Sequence, residues 1–147
     1  MFDEKVATVM RQAWLVKVGP EMAVARAAAL MAAKNVGALV VLEDERLVGI
    51  FTERDIVFRV LAAGLDPSDT PVGEVMTREP VTVAPERPFG YALALMHRGG
   101  FRHLPVVEEG KTVGIVSARS ALDPTLEEFA SEKSRRQHYD DMVRGKA

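Results

Sequence analysis

"VKVGPEMAVARAAALMAAKNVGALVVLEDERLVGIFTERD", residues 16–55, decides the fold because the chain repeats it. Residues 81–120 read "VTVAPERPFGYALALMHRGGFRHLPVVEEGKTVGIVSARS", 65 positions further on, and about fifteen of the forty aligned positions are identical without a gap. The identities include Val16/Val81, Val18/Val83, Pro20/Pro85, Glu21/Glu86, Leu30-Met31/Leu95-Met96, Val41/Val106, Val48-Gly49-Ile50/Val113-Gly114-Ile115 and Arg54/Arg119. Self-similarity at a fixed spacing marks a duplicated supersecondary unit. Upstream, "VATVM" (Val6 to Met10) resembles "VGEVM" (Val72 to Met76) after a one-residue slip, so each unit starts with a short helix.

Both copies read alike. An extended segment, Val16–Val18 or Val81–Val83, ends near a proline. An amphipathic helix rich in Ala, Leu and Met follows, about Met22–Lys34 and Pro88–Arg98. Two strands joined by charged turn residues come next, Ala38–Leu42 with Leu47–Phe51, and Leu104–Val107 with Thr112–Val116. A second helix, Glu53–Ala63, closes the first unit, and "GLDPSDTP" (Gly64 to Pro71) is a linker. The expected fold is α/β (α+β), a β-α-β-β-α unit written twice. Residues 1–65 form repeat one with its leading helix, 66–124 repeat two, and 125–147 a helical tail. Each half is too short for a good core of its own, so the halves should pack with pseudo-twofold symmetry.

Composition narrows the function. With 147 residues, 48% hydrophobic and 27% charged, the chain has a globular balance. A net charge of −2 gives no overall field to attract nucleic acid or an acidic membrane. Without cysteine, disulfides, thiolate metal sites and cysteine nucleophiles are excluded. His97, His103 and His138 lack metal-ligand spacing. No apolar run is long enough to span a bilayer, and the first residues show no signal-peptide pattern, so a cytoplasmic protein is expected. A nucleophile elbow and a Gly-rich phosphate loop before a helix are also missing, and no enzyme is expected.

The duplicated unit, with "HLPVV" in the second copy, "GEVMTREPVTVAPE" entering it, and "GIFTERD" or "GIVSARS" before the closing helix, resembles the CBS-domain pair, or Bateman module. The likeness covers roughly residues 4–123. It implies a regulatory module that binds adenosine-containing ligands in clefts between the repeats, often as a homodimer, and acts on a separate effector protein.

Thr52-x-x-Asp55 has two readings. One is a helix N-cap with an acidic third position, which needs no ligand. In the other, the same helix end favours a phosphate, and the carboxylate suits a vicinal diol. The resemblance assigns Thr52 to phosphate and Asp55 to the ribose hydroxyls. The second copy keeps a hydroxyl at Ser117 but has Ser120 in place of the aspartate. Conversely, Arg102-His103 precede a strand where the first copy has Gly37-Ala38. Arginine is a fork-shaped phosphate donor, and histidine adds a donor that can charge. Cross-repeat pairing, as the resemblance implies, puts Thr52, Asp55, Arg102 and His103 in one cleft, with Arg119 turned toward it. Ile50, Pro80 and Val81 would line the base. The pseudo-equivalent cleft would collect Ser117, Ser120, Gly37, Ala38 and Arg54 and be degenerate.

The expected ligand is AMP, ADP or ATP, with no metal required. The alternatives are S-adenosylmethionine or NAD(H), or a structural dimerisation module with vestigial clefts. Trp14 and Met10 are read as part of a dimer surface. In the tail, Asp123-Pro124 suggests a helix start and a helix over Thr125–Arg136.

Overall fold

A computed structural model describes residues 2–121 and 135–145. In chain order it contains α1 (Val6–Val9), a 3-10 turn (Gln12–Trp14), β1 (Lys17–Val18), α2 (Val24–Lys34), β2 (Ala38–Glu43), β3 (Arg46–Thr52) and α3 (Glu53–Asp55). Helix α3 runs on as a π-helical stretch, Ile56–Leu61. Then come α4 (Val72–Val75), β4 (Thr77–Arg78), α5 (Phe89–Gly99), β5 (His103–Glu108), β6 (Lys111–Ser117) and a 3-10 turn, Ala118–Ala121. Residues 135–143 are helical, and the rest of the expected tail helix lies outside the described residues.

Equivalent positions end equivalent elements. Asn35 and Gly100, 65 apart, both adopt left-handed backbone (φ 53° and 71°) and stop α2 and α5. Both hairpins use two-residue turns with two positive φ values, Asp44-Glu45 (49° and 63°) and Glu109-Gly110 (50° and 79°). Such primed turns match the twist of the strands they join.

The first sheet runs β1-β2-β3-β4, with β1 parallel to β2 and the other pairs antiparallel. The second contains β5 and β6. Here the structure corrects the expectation of a full strand at Val81–Val83. Only Val83 is bridged, to Val106. In the first copy, Val40 N–H donates to the Val16 carbonyl at 3.0 Å. The residue aligned with Val40 is Pro105, which has no N–H to offer the Val81 carbonyl. Val81 is therefore released and stands 47% exposed. Strand β4, which periodicity did not reveal, pairs with β3 through Gly49↔Arg78 and Ile50↔Thr77.

The two cores are built crosswise. Val72, Val75 and Met76, which lead into repeat two, are buried with Val24, Met31, Leu39 and Phe51 of repeat one. Val6, at the start of repeat one, is buried with Phe89, Met96, Leu104 and Val116 of repeat two. The backbone shows the same exchange at symmetric positions. Val72 N–H donates to Met22 O and Gly73 N–H to Pro20 O, both at 2.8 Å. Val6 N–H donates to Arg87 O (2.8 Å) and Ala7 N–H to Pro85 O (2.9 Å), each acceptor 65 residues further along. Met76 packs on Gly49, and Met10 on Gly114, where a Cβ would lie 2.6 Å from the methionine sulfur. Met10 is thus core to the second repeat. Ranges 1–65 and 66–124 follow the sequence repeat, while the packing units trade their leading helices. Ala38 and Ile50 from one repeat and Ile115 from the other, with Trp14 against them, form a small third cluster between the halves.

Val6→Ala tests the exchange. It removes two buried methyl groups and is expected to cost about 2 kcal/mol in urea unfolding, with amide protection reduced on β5 and β6. A loss below about 0.5 kcal/mol, the usual effect of a surface change, would mean that α1 is not part of that core.

Candidate ligand clefts between the repeats

The first cleft has a volume of about 640 Å3. Three pieces of chain meet there: the end of β3 with α3, the segment after β4, and the turn between α5 and β5. They bring together Ile50, Thr52, Arg54, Asp55, Pro80, Val81, Arg102 and His103. The wall also includes Glu53, Phe58, Arg59, Glu79 and Phe101, which the sequence reading did not single out.

Strand β3 stops at Thr52 in a capping box. Thr52 Oγ1 accepts from Asp55 N–H (3.4 Å), and Thr52 N–H donates to Asp55 Oδ2 (2.9 Å). The Thr52 hydroxyl lies 3.2 Å from the same Oδ2. The cap reading is therefore realised, and its atoms lie in the cleft wall. Asp55 is buried, 6% exposed, and burial pushes its carboxyl above the usual carboxylate range. The Thr52 N–H, Arg59, the Thr52 hydroxyl and Arg54 oppose that shift. Arg54 stacks on Phe58 at 4.3 Å.

His103 opens β5 and reaches back to repeat one. A Cβ at Gly37 would sit 3.3 Å from His103 Cε1 and Nε2 and 3.3 Å from Glu53 Oε1, so glycine there makes room for the ring. Burial lowers the His103 pKa, Arg119 and Arg102 lower it further, and Glu53 opposes them.

A second cleft, about 430 Å3, lies beyond this ring and shares Gly37, Glu53, Arg102 and His103 with the first. It adds Trp14, Ala38, Ser117 and Arg119. Two expectations change here. Arg119 does not turn into the first cleft but stacks over Trp14 at 5.0 Å in the second. Arg54 lines the first cleft, not the second. Each of these paired arginines follows its own strand end, so each stays beside its own repeat's hydroxyl. Ser120 is buried outside the lining of the second cleft, and its Oγ has no hydrogen-bond partner among the described residues.

Trp14 is the residue that sequence reasoning misplaced. It lines the second cleft and packs on the inter-repeat cluster. The one-residue slip holds the signal: the offset that puts Met10 on Met76 puts Trp14 on Pro80, a wall residue of the first cleft. Among the described residues no helix is long and apolar enough to cross a membrane, and no group of three His, Cys, Asp or Glu side chains is placed to hold a metal.

The family model for the CBS domain matches residues 6–62 and 72–124. A CBS domain-containing protein of Arabidopsis thaliana is 38% identical over 118 residues, which are 79% of this chain but only 22% of that protein. The chain thus spans about a fifth of that relative. An uncharacterized conserved protein from Pyrococcus horikoshii superposes with a TM-score of 0.79 at 35% identity, covering 85% of this chain and 94% of that one. A CBS domain protein from Pyrobaculum aerophilum, solved in complex with AMP, gives a TM-score of 0.72 at 27% identity over 80% of this chain and 89% of that one.

Two outcomes follow from the buried charges. Asp55→Asn keeps an acceptor for Thr52 N–H and removes a charge that burial disfavours. Its stability at neutral pH is expected within about 0.5 kcal/mol of wild type, or above it; a loss of about 2 kcal/mol, as for a vital cap, would make the carboxylate structural. The folded pKa of His103 lies below 6.5. Its contribution is full above 6.5 and is lost as pH falls through the folded value. The wild-type advantage in Tm over His103→Gln should therefore shrink between about pH 8 and pH 5. A constant difference would contradict a buried, neutral ring.

Proposed function

The chain belongs to the CBS-domain family, and on that premise we propose that it is a regulatory module that binds an adenosine phosphate in its first cleft and modulates a partner protein. One observation carries this reading. A buried carboxylate at a helix start, Asp55, shares a cleft with Arg102 and His103 of the other repeat. A ribose diol needs an acceptor that can take two hydrogen bonds, and Asp55 supplies it. A phosphate needs hydrogen-bond donors and positive charge, and Arg54 and Arg102 with the Thr52 hydroxyl supply those. Ile50, Pro80, Val81, Phe58 and Phe101 give the base an apolar seat. The AMP complex of the Pyrobaculum protein supports the ligand class.

A phosphorylated ligand is favoured over S-adenosylmethionine, whose sulfonium would meet the cleft's arginines. The second cleft has Trp14 and Arg119 but no carboxylate of its own in the place of Asp55, so one ligand per chain is expected. Val57, Leu61 and Leu65 stand exposed along and just after the π-helical stretch, outside the first cleft's lining, and a homodimer would be built on that row. Regulation follows if the ligand binds two arrangements of the repeats unequally.

Calorimetric titration of AMP, ADP, ATP and S-adenosylmethionine tests the reading. An adenylate should bind at about one equivalent per chain, and Asp55→Ala should weaken it at least about tenfold, the loss of one or more hydrogen bonds to a charged group. Two equal equivalents would overturn the single-site assignment. No binding of any of the four would favour a structural module.

A further inference from the structure

Arg59 joins the two walls of the first cleft. It lies four residues beyond Asp55, on the π-helical stretch. Its Nε is 3.5 Å from Asp55 Oδ1. Its Nη1 donates to the carbonyls of Met76 (3.0 Å) and Val75 (3.3 Å). Those carbonyls end α4, where a helix leaves acceptors without intrahelical partners. Helix α4 leads through β4 into Glu79, Pro80 and Val81, which line the first cleft.

The two oxygens of Asp55 are therefore unlike. Oδ2 is engaged by the Thr52 N–H and hydroxyl. Oδ1 meets Arg59 at 3.5 Å, within ion-pair range but beyond a good hydrogen bond, so its lone pairs remain available to an incoming hydroxyl. In the second copy the positions 65 residues on are Ser120 and Pro124, which carry neither the carboxylate nor the guanidinium.

Building on the adenylate reading above, we propose that Arg59 is a positioning residue for ribose recognition, holding Asp55 Oδ1 toward the cleft while tying it to the end of α4. Ribose binding is thereby linked to the segment that forms the facing wall. A hydroxyl that reaches Oδ1 perturbs the Arg59 contacts, and the carbonyls of Val75 and Met76 feel the change.

The test compares wild type, Arg59→Ala and Arg59→Lys, each titrated with AMP and with 2′-deoxy-AMP. Wild type should prefer AMP by at least about tenfold. In Arg59→Ala that preference should fall to within about threefold, through loss of AMP affinity, and Arg59→Lys should restore part of it. Equal weakening of both nucleotides would mark a structural residue and overturn the proposal, as would an unchanged preference. A second readout needs no ligand: the Asp55 carboxyl resonance followed against pH. The cleft's other charged groups, Glu53, Arg54, Glu79, Arg102 and His103, are common to all three proteins. The Asp55 midpoint should therefore rise in Arg59→Ala, where the neighbouring positive charge is gone. An unmoved midpoint would overturn the proposal. If neither nucleotide binds wild type, the adenylate reading falls, and the titration still decides whether Arg59 holds Asp55.

Discussion

Each repeat closes the other's core, and the clefts depend on that exchange. Val6 and Met10 cross to repeat two, and Val72, Val75 and Met76 cross to repeat one. Small residues on the receiving strands, Gly49 and Gly114, allow the methionines to approach. Because the helices cross, the chain that follows each must run along the edge of the opposite unit. After α1 that chain delivers Trp14 to the second cleft, and after α4 it delivers Pro80 and Val81 to the first. A cleft between the repeats is thus a consequence of how a short duplicated chain buries enough apolar surface.

Within that frame, one motif serves both structure and binding. Thr52 accepts from the Asp55 N–H and Asp55 from the Thr52 N–H at a helix start, and the same side chains form a cleft wall. Burial works against the Asp55 charge, and the cap with Arg59 and Arg54 offsets it in part. A buried carboxylate in that position is costly for a cap alone and useful for gripping hydroxyls. The second copy ends in Ser117 and Ser120 and a 3-10 turn, with no buried carboxylate at the equivalent place.

Much of this was legible in the sequence because it is local. The 65-residue repeat, the helical spacing of α2 and α5, and the paired hairpin strands all follow from period and turn chemistry. The grouping of Thr52 and Asp55 with Arg102 and His103 came from the resemblance and from comparing the copies. What escaped was non-local or depended on one atom. The crossing of α1 leaves no periodic trace. The missing strand at Val81 comes from one absent N–H at Pro105, and β4 is only two residues long. The sides taken by Arg54 and Arg119 depend on where each side chain stacks, on Phe58 and on Trp14.

The central claim is that one cleft, built by both repeats, takes the ligand. Amide chemical shifts recorded as AMP is added test it most directly. The account predicts that Thr52 to Asp55, Glu79, Val81 and Phe101 to His103 shift together along one saturable curve, while Trp14, Ser117 and Arg119 move less. Shifts centred on Trp14, Ser117 and Arg119, with Thr52 to Asp55 unmoved, would contradict it.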